Sequence, residues 1–224
     1  MTMNLYGSPG TSTNTDRVLF ALAEKGQEAR TIAVDLMRGE QKQAAHLGRH
    51  PFGVIPALEH DGFVIYESRA IIQYLDARFP EPSLTPADPQ QRGRMFQWLS
   101  VEQCYLVPHG GVIRRNLVYG KFIGVTPDPA AVERALGELG RTLDVFEQAL
   151  EGQEYLAGSF SLADLSIMPE LESYASLPQT AALLAARPRV EAWFQRMRKR
   201  PAWQRILEIR KQALAAFAQR AQAK

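Results

Sequence analysis

The sequence predicts two domains of different class: an α/β first domain over residues 1–80 and an all-α second domain over 91–224, joined by a linker at 81–90. Three observations carry this. Short apolar segments alternate with helical patterns before residue 80 and include a hairpin signature, His60-Asp61-Gly62 between Ala57-Leu58-Glu59 and Phe63-Val64-Ile65-Tyr66. The stretch Pro80-Glu81-Pro82-Ser83-Leu84-Thr85-Pro86-Ala87-Asp88-Pro89 is rich enough in proline to stop regular structure. Beyond it the apolar residues recur at helical spacing, and no segment alternates as a strand would.

Taken in order, Asn4 to Tyr6 reads as a strand ended by the turn Gly7-Ser8-Pro9-Gly10. Thr11-Ser12-Thr13-Asn14-Thr15-Asp16 is a run of capping residues before Val18, Leu19, Ala21 and Leu22, whose spacing is helical, and Lys25-Gly26 closes that helix. Thr31 to Val34 is a second strand, and a polar helical turn begins at Gly39. The hairpin follows, then a helix from Ala70 to Phe79. The order is β-α-β-α-β-β-α, parallel at its beginning and antiparallel at its end. Past the linker, helices are expected over Arg92–Leu106, Ala130–Leu150, Leu162–Tyr174 and Arg189–Lys199, with a helical tail. Gly110-Gly111 after Pro108-His109 predicts an interruption in the second domain's first helix.

The composition excludes several classes. With 224 residues, 46% hydrophobic and 22% charged, the chain can bury a substantial core and is not disordered. A net charge of +2 gives no basis for a nucleic-acid partner, and the basic run from Arg187 to Arg200 reads as the solvated side of a helix. Cys104 is the one cysteine, so an intrachain disulfide and a cysteine zinc site are both excluded; on an apolar helical stretch, it is expected to be a buried small hydrophobe. No metal is expected. The start Met1-Thr2-Met3-Asn4 lacks the features of a signal peptide, and no apolar run nears the ~18 residues of a membrane span. A cytoplasmic protein without a membrane partner is the expectation.

Two segments carry chemistry. In Phe52-Gly53-Val54-Ile55-Pro56-Ala57-Leu58, a proline between apolar segments predicts a rigid, bent entry to a strand. A cis Ile55–Pro56 bond there would offer the Ile55 N–H and C=O to an extended peptide. In Glu67-Ser68-Arg69-Ala70-Ile71, an acid and a hydroxyl precede a helical run whose first N–H groups form an anion site. Backbone capture beside carboxylate capture suits a small acidic peptide.

These residues resemble those of the cytosolic glutathione S-transferases, most nearly the phi-like and related bacterial members, from Asn4 to about Leu207. Pro51 to Leu58 looks like the family's cis-proline segment and Glu67 to Ile71 like its carboxylate-binding helix start. Trp98-Leu99-Ser100-Val101-Glu102 resembles the start of the long helix of the second domain. Ser161-Leu162-Ala163-Asp164 resembles the family's folding motif and fits a capping box, a role in stability. The resemblance implies a thioredoxin-like first domain that holds glutathione, a helical second domain that helps hold an electrophile, and a homodimer. Glutathione would be a co-substrate, with no further cofactor.

Residue by residue, the resemblance puts Ser12 in the position of a catalytic serine that stabilises the glutathione thiolate. Thr11, Thr13 and Asn14 are neighbouring candidates, and Tyr6 is another because some classes use an N-terminal tyrosine. Each candidate also has a structural reading, as a helix cap or a strand aromatic. Glu67 and Ser68 would receive the γ-glutamyl end, Ile55 with Pro56 the cysteinyl residue, and Lys42 the glycine carboxylate. Gln41 and Val54 stand where many members carry histidine and glutamine, so two polar contacts differ. The electrophile site would draw on Gly10, Thr11, Leu36 and Met37 from the first domain and on Tyr105, His109 and Ile113 from the second. Phe52 would either enter a partner subunit or cap its own sheet. Conjugation is the leading expectation. Glutathione-dependent peroxide or disulfide reduction, and non-catalytic ligand binding on the same fold, are the alternatives; no cysteine of the first domain could serve a protein-thiol mechanism.

Overall fold

In the computed structural model, which describes residues 2–222, strand β1 (Met3–Gly7) organises the first unit. Its neighbours are β2 (Arg30–Ala33), parallel, and β3 (Ala57–His60), antiparallel; β4 (Phe63–Tyr66) completes the order β2-β1-β3-β4. A parallel pair needs a crossover, and α1 (Thr13–Glu24) supplies it. The β3–β4 hairpin turns on Asp61 and Gly62, with φ of 48° and 86°, the primed geometry that an Asp-Gly pair accepts. Tyr6 faces Ile32 on one side and Ala57 on the other, and Ala57 faces Tyr66. This register brings the ends of β1 and β4 and the start of β3 to one end of the sheet.

Between β2 and β3 the chain makes two 3-10 turns, Leu36–Arg38 and Glu40–Lys42, and a single turn of helix α2 (Ala44–Leu47). Helix α3 (Ser68–Arg78) packs beside α1, burying Ile71, Ile72 and Leu75. A buried Lys25–Asp76 pair joins the two, and Asp76 also accepts the Leu84 N–H at 2.9 Å. The last helix, α10 (Pro201–Gln222), belongs to this unit as well. The sequence boundaries assigned it to the second domain, but Trp203 meets Phe20 edge-on at 5.0 Å and Arg200 grips Glu24 through two bonds of 2.7 and 2.9 Å. Compactness divides the chain into Met1–Leu84 with Arg198–Lys224, and Thr85–Met197.

The second unit is helical. Helix α4 (Pro89–Val101) starts three residues before the expected Arg92, because Asp88 caps it by accepting the Gln91 N–H at 2.8 Å and Pro89 fits the first turn, where no N–H is needed. The interruption predicted at Gly110-Gly111 is absent, since the helix runs through both; it departs from α geometry earlier, ahead of Pro108. A π-helical turn, Glu102–Leu106, absorbs the residue that lacks a donor, and the chain continues as α5 (Val107–Arg114) and a second π turn, Arg115–Tyr119. That first π turn corrects the expectation for Cys104. Glu102 and Leu106 face inward and Cys104 is exposed, since the wider turn rotates the residues between them outward.

Helices α6 (Pro129–Ala149), α7 (Leu162–Ala175), α8 (Pro178–Ala185) and α9 (Pro188–Arg198) follow. The sequence reading missed α8. Helix α7 is the centre of the unit, with Leu162, Leu165, Ile167, Met168 and Leu171 fully buried. The capping box forms at its start: Asp164 accepts the Ser161 N–H at 3.1 Å, and the same buried carboxylate accepts Leu156 N–H at 3.1 Å and Trp193 Nε1–H at 2.9 Å. Burial pushes the Asp164 carboxyl above its usual range against the pull of these donors.

Candidate functional site

The sheet end defined by Tyr6, Ala57 and Tyr66 gathers three loops of the first unit. The turn after β1 leads to Ser12, the N-cap of α1, with extended backbone at φ −121° and ψ 115°. Ser12 Oγ accepts the Thr15 N–H at 3.3 Å and donates to no acceptor among the described residues. Its proton therefore remains available, and the accepted bond polarises the hydroxyl as a donor. The rival candidates differ. Thr11 Oγ1 is paired with Ser8 Oγ at 2.6 Å. Thr13 lies in the first turn without receiving a capping bond. Asn14 Oδ1 accepts from Arg17 and from Ser68. The Tyr6 hydroxyl donates to Glu59 at 2.8 Å, and burial together with that bond holds its pKa above the usual phenol value.

The second loop enters β3 through Ile55–Pro56, a cis peptide bond as expected. The Ile55 side chain is buried, and its N–H and C=O make no hydrogen bond with the described residues. The segment before it is pinned on its other side: His46 Nε2 contacts the Val54 carbonyl at 2.7 Å, and Lys42 Nζ donates to the Phe52 carbonyl at 3.0 Å. Gly53 is required here, because at φ +58° a Cβ would come within 2.8 Å of the Gln41 carbonyl oxygen. His50 beside this loop is buried, its ring tilted by 34° against that of Tyr66 at 4.7 Å; burial lowers its pKa, with Glu67 pulling the other way.

The third loop is the step from β4 to α3. Glu67 stands at its N-cap with φ 68° and ψ 109°, a left-handed value that costs a non-glycine residue ~1–3 kcal/mol. Its carboxylate is exposed, and the first N–H groups of α3 have no partner within the helix. Ser68 is buried, and here the structure adds residues that the sequence reading missed. Arg17 Nη1 donates to Ser68 Oγ at 2.6 Å, and Ser68 Oγ donates to Asn14 Oδ1 at 3.3 Å. A guanidinium buried on the helix that Ser12 caps thus stands behind the helix start that Ser68 opens. The only sequence signal was an Asp16-Arg17 pair on the apolar face of α1.

Ser12, Ile55, Pro56, Glu67 and Ser68 come together at this sheet end; Lys42 reaches it through the Phe52 carbonyl. Of the residues expected to meet an electrophile, Thr11, Leu36 and Met37 are exposed in the first unit, with Leu36 and Met37 on a turn that Asp35 caps. In the second unit, Tyr105 is exposed on the first π turn, His109 is half-buried, and Ile113 is fully buried in the core.

The arrangement offers a hydroxyl donor and two helix N-termini for anions, an exposed carboxylate for a cation, and unpaired backbone groups for a peptide. Comparisons with known proteins agree with it. Residues 5–83 match the family model for the glutathione S-transferase N-terminal domain, and residues 104–201 the one for its C-terminal domain. The chain is 36% identical over 196 residues to glutathione S-transferase F10 of Arabidopsis thaliana, covering 86% of this chain and 91% of that protein. It is 37% identical over 210 residues to glutathione S-transferase 3 of Zea mays, covering 92% and 93%. Among solved structures, glutathione transferase F7 of Populus trichocarpa superposes with a TM-score of 0.87 at 34% identity, covering 92% of this chain and 98% of that one. A maize glutathione S-transferase I solved with an atrazine glutathione conjugate gives 0.86 at 31%, covering 94% and 99%.

Proposed function

The chain belongs to the glutathione S-transferase family, and from that premise we propose that Ser12 activates glutathione for attack on a small hydrophobic electrophile. The observation that carries this is the state of the Ser12 hydroxyl, which accepts a capping N–H and keeps its own proton free.

A free thiol has a pKa near ~8.5, so a small fraction is ionised at neutral pH, and each unit of depression needs ~1.4 kcal/mol in favour of the anion. One hydroxyl donor to a charged acceptor is worth roughly 1.5–3 kcal/mol, and the α1 N-terminus adds ~0.3–1. Together these lower the thiol pKa by roughly 1–3 units, which over most of that range makes the thiolate the major form at neutral pH. The thiolate then forms a sulfur–carbon bond with the electrophile; the leaving group departs with the electron pair of the bond it breaks, and the thiol proton goes to solvent.

In this reading the glutathione backbone adds to Ile55 beside Pro56 as an extended strand would. Its γ-glutamyl carboxylate sits at the N–H groups of α3 by Ser68, with the buried Arg17 charge behind them, and its ammonium group meets Glu67. Lys42 meets the glycine carboxylate. Leu36 and Met37 of the first unit, with Thr11 of the same unit, contribute exposed surface for the electrophile. Ile113, being buried, acts by supporting the helix. The reading includes a homodimer, supported by the exposed Phe52 and by Phe63 and Val64 on edge strand β4, and a cytoplasmic setting, supported by the single cysteine.

Ser12→Ala tests the proposal. Conjugation of a chlorinated nitroarene should fall at least tenfold while glutathione affinity and thermal stability persist. Undiminished conjugation would assign the activation to another group.

A further inference from the structure

The turn that carries Ser12 is built against the last helix of the chain. Trp203, Ile206, Arg210 and Ala213 recur three or four residues apart on α10, and the first two are buried where this helix meets α1. Gly10 lies flush on that face. Its φ is +74°, and a Cβ there would come within 2.8 Å of both Ala213 Cβ and Arg210 Cα and 3.0 Å of the Ile209 carbonyl oxygen. The contact admits no side chain.

Asp16 completes the link. Its carboxylate is fully buried; Oδ1 accepts the Gly10 N–H at 2.7 Å and Oδ2 accepts Arg210 Nη1 at 2.8 Å. Its own N–H donates to the Ser12 carbonyl at 2.9 Å. One residue thus holds both ends of the Gly10–Ser12 segment and is itself held by α10. The turn's internal bonds, Ser12 N–H to the Ser8 carbonyl at 3.1 Å and Ser8 Oγ with Thr11 Oγ1 at 2.6 Å, set its shape. Asp16 sets its place relative to α1 and α10. Burial pushes the Asp16 carboxyl up to about 6, with Arg210 and the Gly10 N–H pulling it down, so at neutral pH it is ionised and the pair is charged.

We propose that Arg210 is a positioning residue for catalysis: by fixing Asp16 it fixes Gly10, and with it the place of the Ser12 hydroxyl against the bound thiolate. This rests on the reading of Ser12 as the thiolate donor. A single hydroxyl donor loses strength steeply with misalignment, so a turn released from α10 would bind glutathione but activate it less.

The test uses the full chain with Arg210→Gln, Asp16→Asn, Arg210→Lys, Ser12→Ala and the Ser12→Ala/Arg210→Gln double variant. Three quantities are read: the pKa of bound glutathione, its dissociation constant, and amide exchange across residues 8–12. Arg210→Gln and Asp16→Asn should each raise the bound thiol pKa by about half to one unit and lower kcat about three- to tenfold. Glutathione affinity should stay within about twofold, exchange across the turn should quicken, and Arg210→Lys should retain most of the wild-type pKa. In the double variant, Arg210→Gln should add nothing to the Ser12→Ala shift. An unchanged thiol pKa in Arg210→Gln and Asp16→Asn overturns the proposal, whatever the exchange shows. So does a shift that adds in full to that of Ser12→Ala. If Ser12→Ala leaves the thiol pKa untouched while Arg210→Gln raises it, the Ser12 reading fails and Arg210 positions another donor of the turn.

Discussion

Arg17 donates to Ser68 Oγ at 2.6 Å, which fastens the helix capped by Ser12 to the helix opened by Ser68. The two helix starts of the candidate site are therefore linked through one buried side chain. Replacing Arg17 by Met keeps much of the packing but leaves Ser68 and Asn14 without their charged donor. Glutathione affinity should fall about tenfold and unfolding stability by about 2–3 kcal/mol. Calorimetric titration with glutathione and urea unfolding measure the two; wild-type affinity would show that the guanidinium has no part in binding.

Asp16 gives the fold a pH dependence with a definite sign. Its folded pKa of about 6 lies above the ordinary 3.8, so the native state holds the proton more tightly than the unfolded chain. The resulting contribution is complete below about 3.8 and is lost as pH rises through about 6, roughly 3 kcal/mol in all. Asp16→Asn removes that slope. Thermal unfolding of both proteins between about pH 4 and about pH 7.5 should show the wild type losing ground to the variant as pH rises, and parallel curves would contradict the assignment.

Asp164 is fully buried and accepts from Leu156, Ser161 and Trp193, so its loss strands several donors at once. Asp164→Ala should cost about 3–5 kcal/mol, whereas Ser161→Ala, which removes one cap, should cost about 1–2. Urea midpoints of the two variants check the order. Equal losses would mean that the carboxylate serves only the capping box.

Gly110 packs against Tyr174 so closely that a Cβ would overlap the tyrosine hydroxyl, which donates to the Leu106 carbonyl at 3.0 Å beside the first π turn. Gly110→Ala must displace Tyr174 and break that bond. A loss of about 2–4 kcal/mol is expected in urea unfolding, and a Tyr174→Phe background should relieve only the hydroxyl's part of it, since the ring's Cε1 and Cζ, each 2.4 Å from that Cβ, remain.

Much of the site was legible because its signals are local. A proline between Ile55 and Ala57, a hydroxyl before an apolar helical run, and an Asp-Gly hairpin each report their own geometry. Arg17, Gly10 and Arg210 were not legible, since their roles depend on partners 51 to 203 residues away that no spacing rule connects. Cys104 was misread for a related reason: a helical wheel assumes a constant turn, and the π turn at Glu102–Leu106 breaks it. The start of α4 was misread because proline stops a helix from within yet suits its first turn.

The central claim, that Ser12 holds glutathione as a thiolate, is tested most directly by titrating thiolate absorbance of bound glutathione in the wild type and in Ser12→Ala. The wild type should show a pKa about two units below the free value of ~8.5, and Ser12→Ala should return most of that shift while still binding glutathione. A wild-type pKa at the free value, or a depression that survives in Ser12→Ala, would contradict it.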